Sequence, residues 1–178
     1  MKKSAQFLSW LFVLTVVFIL CACVPLKPSS QLSTPIPSAP AIGIEGTSME
    51  QSQFANVLSV QVTGEPGAYQ FAVEISSPDS GCEQYADWWE VVSAEGDLLY
   101  RRILIHSHVD EQPFTRSGGP VEVAVDVIVY VRAHMNTSGY GGQVLKGTVR
   151  NGFKPAVVEA GFGLGLERFP PQPEDCAF

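Results

Sequence analysis

The sequence predicts an all-β fold, an antiparallel β-sandwich, for the part of the chain after residue 53, and three observations carry that prediction. Short segments alternate apolar and polar residues with a period of two. Clusters of Gly, Pro, Asn, Asp and Ser separate them closely enough for local strand pairing. No stripe of helical period follows the apolar N-terminal run. Seven or eight such strands suit one domain of ordinary size.

The chain begins with Lys2 and Lys3, then an apolar run over 7–20 broken by Ser9 and Thr15, the layout of an export signal. It ends in Leu20-Cys21-Ala22-Cys23. Leu at minus three, a small Ala at minus one and Cys at plus one resemble the lipobox of bacterial lipoproteins; Cys21 fits less well, because bulky Leu20 precedes it. That resemblance implies removal of residues 1–22, diacylglyceryl attachment to the Cys23 sulfur and acylation of its new amino group. The other reading of the run is an uncleaved anchor helix. Against it stand a length short of the roughly 20 residues that span a bilayer and the Pro-rich tract that follows. Val24, rather than Asp, follows the cysteine, which in that family implies the outer membrane wherever the cell has two.

Residues 23–53 read as a lipidated cysteine and a disordered Pro/Ser stalk: Pro25, Pro28, Pro35, Pro37 and Pro40 alternate with Ser29, Ser30, Ser33, Thr34 and Ser38. The domain is then 54–178. With Cys21 lost and Cys23 acylated, Cys82 and Cys176 remain. In an oxidising compartment they are expected to form one disulfide closing a loop of about 95 residues. A metal-binding or reactive thiol pair is the alternative, without a Cys-x-x-Cys spacing in its favour. Eighteen acidic residues outnumber eleven basic ones, and no Lys/Arg block occurs, so nucleic acid is not an expected partner.

Strand by strand, Leu58, Val60 and Val62 alternate with polar neighbours, as do Tyr69, Phe71, Val73 and Ile75. A turn-rich loop delivers Cys82. Residues 87–92, a turn around Ala94-Glu95-Gly96-Asp97 and residues 98–108 make a hairpin of aromatic and branched residues. Residues 113–120 read as a loop, 121–125 as alternating strand, 127–135 as a strongly apolar strand and 143–149 as the last clear one. Val157 and Val158 are an expected edge, Gly161-Phe162-Gly163-Leu164-Gly165 a flexible connection, and the Pro-rich stretch after Phe169 an extended tail. Val129-Tyr130-Val131-Arg132-Ala133, followed by Asn136, Gly139 and Gly141, resembles the late strand and turn of fibronectin type III domains, with Asn136 one residue early. A Trp-bearing middle strand suits that module or an immunoglobulin-like one. Sandwich folds do not dictate function.

Chemistry, if present, is expected at the histidines. His106 and His108 share a face near the end of one predicted strand, and His134 stands near the end of another. Converging, they would suit zinc or copper, with Asp110 or Glu111 supplying an oxygen. A simple antiparallel pairing of the two strands would keep His134 away. His106-x-His108, Glu111 and Gly118 also resemble part of the first cupin motif, which implies the same ligands in a metalloenzyme; the second motif's Pro-x-Gly is absent before His134. The plainer account makes these residues the polar lip of a loop. Trp88, Trp89, Tyr100 and Arg102 are a candidate binding patch. Adjacent tryptophans face opposite sides, so one is either a surface anchor or packed under the tail held by Cys176. A buried Arg paired with Asp87 or Glu90 is the structural reading of Arg101-Arg102. The expected partners are the membrane, through the N-terminal lipid, and an envelope protein or glycan. No catalytic constellation is present, and no cofactor is expected unless the metal reading holds.

Overall fold

The computed structural model describes residues 53–177. The signal over 1–22, Cys23 and all of the expected stalk except Gln53 lie outside the described residues. The fold is all-β. Among the described residues eight strands form two antiparallel sheets: β1 (Asn56–Glu65), β2 (Ala68–Ser76) and β5 (Phe114–Val121) in the order β1-β2-β5, and β3 (Ala86–Ser93), β4 (Leu98–Ile103), β6 (Val129–Met135), β7 (Val144–Thr148) and β8 (Gly152–Ala156) in the order β4-β3-β6-β7-β8. Between them packs a core of Val57, Phe71, Val73, Ile75 and Phe114 against Trp89, Val91, Val129, Val131, Met135 and Leu145. The alternation read in the sequence is the cause: every second residue of β2, from Tyr69 to Ile75, is buried.

Four strand expectations are corrected. In β1 a bulge between Val57 and Ser59 shifts the alternation, so Val57 is buried and Leu58 turns outward. The second is β5, which occupies residues read as a loop. Its Ser, Gly and Pro residues are tolerated at a sheet edge, and Gly118 is required there. A Cβ at Gly118 would meet the Tyr100 hydroxyl at 2.6 Å. Beyond Val121 the chain leaves β2 and forms no ladder despite its alternation, because β2 begins at Ala68 and its pairing with β5 ends where Tyr69 meets Val121. The third is β4, which stops at Ile103 instead of running to His108. There side chains capture the backbone: Asp79 Oδ2 accepts from the His108 N–H (2.8 Å), and Ser107 Oγ accepts from the Gly81 N–H (3.2 Å). The fourth is β8, formed by Gly152–Ala156 rather than by Val157 and Val158. Gly147 lets it approach, since a Cβ there would stand 2.0 Å from the Gly152 carbonyl oxygen. Lys154 and Pro155 suit β8's place at the sheet edge.

Strand β3 is buried along its whole length. Its inner face joins the core. Its outer face is covered by residues 160–171, a strap containing one 3-10 turn at Leu166–Arg168, rather than by a loose connection. Cys82 and Cys176 form a disulfide with 5.6 Å between Cα atoms. The bond ties the end of the chain to the loop between β2 and β3.

Candidate functional site

The outer face of the larger sheet carries a row of buried charge. Register sets it: on central β3, Glu90 stands opposite Arg101 of β4 on one side and Arg132 of β6 on the other. Glu90 Oε2 accepts from Arg101 Nε (2.9 Å) and Nη2 (2.7 Å), and Oε1 accepts from Arg132 Nε (2.8 Å) and the Tyr140 hydroxyl (2.8 Å). Side-chain exposure is 0% for Glu90 and Arg101 and 5% for Arg132. One carboxylate between two guanidiniums leaves positive charge over, and further N–H groups of both arginines donate to backbone carbonyls of the strap. Aromatic faces complete the packing. Arg101 lies 4.5 Å from the Trp88 ring and Arg132 3.7 Å from the Tyr140 ring. Burial, then the nearby Glu90 charge, raises the Tyr140 pKa above the usual phenol range, which keeps this donor protonated.

Next to this row His134 Nδ1 stands 2.7 Å from Asp87 Oδ1, and its ring stacks on Trp88 at 3.7 Å. Burial raises the Asp87 pKa, against the opposing hydrogen bond and charge of His134. Trp88 Nε1 donates to the Tyr140 hydroxyl (3.1 Å). These groups satisfy one another in a closed network.

The expected surface patch does not form. Trp88 is 3% exposed on the outer face and Trp89 fully buried in the core, as adjacent residues of a strand with both faces covered must be. Tyr100, half-buried, packs on Trp89, and Arg102 is exposed by itself at the edge strand. The buried pair expected near Glu90 is made by Arg101.

Two of the three histidines come together. His106 and His108 lie 4.6 Å apart, ring centre to ring centre, in the loop after β4. With Gly81, Cys82, Asp110, Glu111 and neighbours they line a cleft of about 400 Å³. His134 does not join them: β3 separates β4 from β6, so the strand ends are two spacings, about 10 Å, apart. Glu111 is held by Arg116 through two hydrogen bonds, which lower its pKa. Among the described residues no group of three or more His, Cys, Asp and Glu is placed to hold a metal ion. The ligand set expected from the sequence is thereby divided between two places.

His108 is buried, stacked on Phe114 at 3.8 Å, with Nδ1 3.6 Å from the fully buried Asp79 carboxylate. Neither of its ring nitrogens has a hydrogen-bond partner among the described residues. Burial first, then Arg116 and His106, lowers its pKa. The folded state therefore prefers neutral His108. Its contribution is present above the unfolded pKa, about 6.5, and is lost as pH falls below that value toward the lower folded one. His108→Phe, which keeps a flat apolar ring on Phe114, should accordingly flatten the fall in melting temperature between about pH 7 and pH 5. Identical pH dependence in variant and parent would count against this assignment.

Sequence reading missed Asp79, Arg132 and Tyr140. Asp79 binds three segments, accepting from Ser77 Oγ, the Ala86 N–H and the His108 N–H. A signal for the charged row existed: Glu90 stands between Trp89 and Val91 and Arg132 between Val131 and Ala133, and a charge flanked by apolar residues inside a strand needs a buried partner.

A curated protein of Halomicrobium mukohataei, named "Putative lipoprotein", is 40% identical to this chain over 106 residues, 59% of the chain and 52% of the relative. The chain thus spans about half the length of that relative. No family model matches the chain, and no solved structure does. The relative's name agrees with the lipobox resemblance and points to no more specific family.

Proposed function

We propose that this chain is a lipid-anchored extracytoplasmic β-sandwich protein that acts as a binding or envelope-associated module, not as a catalyst. The observation that carries the location is the Cys82–Cys176 disulfide, a bond that persists in oxidising compartments, in a chain whose other two cysteines lie at the lipobox. The relative's name supports the same reading. In a cell with two membranes, Val24 directs it to the outer one.

The non-catalytic reading rests on how the polar groups are used. Glu90, Arg101, Arg132, Asp87 and His134 are engaged with one another and with the strap. The His106–Glu111 cleft is left as a loop-end surface for a protein or glycan of the envelope. Zinc or copper loses support as the alternative, because His134 and Glu111, two of the four expected ligands, have other partners.

Cys23→Ala should abolish incorporation of labelled fatty acid and move the protein from the membrane to the soluble or unprocessed fraction. A Cys23→Ala chain that still takes up fatty acid would refute the anchor. For the cleft, in-cell crosslinking from a photoreactive residue at Val109 should capture an envelope component, and His106→Ala with Asp110→Ala should reduce that capture. Undiminished capture would place the partner elsewhere.

A further inference from the structure

Both ring nitrogens of His108 are buried, and neither has a hydrogen-bond partner among the described residues. Buried polar atoms left in that state cost stability, so a partner from outside those residues is expected. Asp79 decides which nitrogen lacks one. Its buried carboxylate stands 3.6 Å from Nδ1, where a bare lone pair would be repelled, so the ring proton sits on Nδ1 and Nε2 is left as an acceptor. Burial keeps the ring neutral and that lone pair available.

His108 lines the cleft of about 400 Å³, a volume that suits a small ligand or a single side chain. Unmatched charge around it is negative. Glu111 is matched by Arg116, but Asp110 is exposed and paired with nothing among the described residues. The Asp79 carboxylate beside His108 is held by N–H and O–H groups, not by a cation. Apolar surface is present as well, from Val109, which is 50% exposed, and from Ala177.

We infer that this cleft binds a primary ammonium group on an alkyl stem, which donates to His108 Nε2, sets its charge against Asp110 and lays its stem along Val109 and Ala177. A compact ammonium reaches a single buried lone pair, whereas the planar fork of a guanidinium matches a carboxylate. Access comes from His106, whose ring lies 4.6 Å from that of His108, is exposed and makes no hydrogen bond among the described residues; it swings aside. The inference rests on the reading of the cleft as the binding face and names what that face recognises. A Lys side chain of an envelope protein and a free alkylamine offer the same chemistry.

The test uses the full-length, disulfide-bonded protein in detergent, with isotope-labelled histidine, at about pH 8, where an alkylamine is charged and His108 neutral. Pentylammonium should move the His108 Nε2 resonance saturably. It should bind at least about tenfold more tightly than pentanol, which lacks the charge, or pentyltrimethylammonium, which lacks the donor. Asp110→Asn, at an exposed position, should weaken it about fivefold. Calorimetry on His108→Phe should show no binding. A blocked Gly-Lys-Gly peptide that binds as tightly as pentylammonium would assign the site to a protein's lysine, and binding of the free amine alone would assign it to a small amine; both support the inference. An unmoved Nε2 resonance, or an equal response to pentanol, would overturn it. If crosslinking from Val109 captures an envelope component in that event, the cleft stands as the binding face and only this inference falls. Saturable ammonium binding without capture from Val109 would keep the inference and remove the envelope partner.

Discussion

Glu90→Ala is expected to destabilise the sandwich by about 3–5 kcal/mol, the largest effect of any single substitution considered, because it leaves two buried guanidiniums facing each other without a carboxylate. Arg101 and Arg132 are both under 6% exposed and cannot turn to water without lifting the strap. Glu90→Gln, which keeps one acceptor oxygen and the side-chain volume, should lose less than the alanine variant and still shift the urea midpoint downward. Equilibrium unfolding in urea reads the effect, followed by intrinsic Trp fluorescence, since Trp88 and Trp89 flank the row. Replacing Glu90, Arg101 and Arg132 together by apolar residues of similar size separates two roles. A buried ion triad can often be exchanged for apolar packing at little cost. Here the triple variant should keep a folded sandwich yet release the strap, because the N–H donors for Phe162, Leu166 and Phe169 go with it. A Glu90→Ala chain as stable as the parent would mean the row is hydrated, and the account of the outer face would fail.

Opening the Cys82–Cys176 bond is expected to cost about 2–4 kcal/mol, since it removes a link between residues 94 apart and restores the freedom of that loop to the unfolded chain. Local consequences should precede global ones. The strap is held by two arginines and one buried leucine, so it should lose protection first. Exposed Arg168 should become a preferred site for trypsin in the reduced protein while β3 and β6 keep their slow amide exchange. Comparing oxidised and reduced protein by denaturation and by hydrogen exchange separates the two contributions. Equal urea midpoints for the two forms would show that the bridge adds nothing to stability.

The strands that form the core were legible because their signal is local. Tyr69, Phe71, Val73 and Ile75 alternate and are buried, and the apolar run ending in Met135 is the inner strand beside β3. Where the reading failed, the cause lay in a neighbour. Residues 113–120 look like a loop until Tyr100 and Trp89 are seen pressing on Gly118. Residues 121–125 look like a strand until they pass the first residues of β2 and have no strand to pair with. His106 and His108 were placed on a strand, but Asp79, distant in sequence, draws their backbone into a loop. The glycine-rich stretch 161–165 carries no periodicity that announces a cover for a sheet; its role depends on carbonyls, which no side-chain pattern encodes.

By itself the sequence determined the all-β class, the disulfide partners and the resemblance at Cys23, because alternation, cysteine count and a short motif are properties of neighbouring residues or of simple elimination. Which charges share a site is set by how the strands pair. Glu90, Arg101 and Arg132 come from three strands and meet through register, while His134 is parted from His106 and His108 by the strand between them. Pairing order is fixed by burial summed over the whole sandwich, and no stretch of the chain holds that sum.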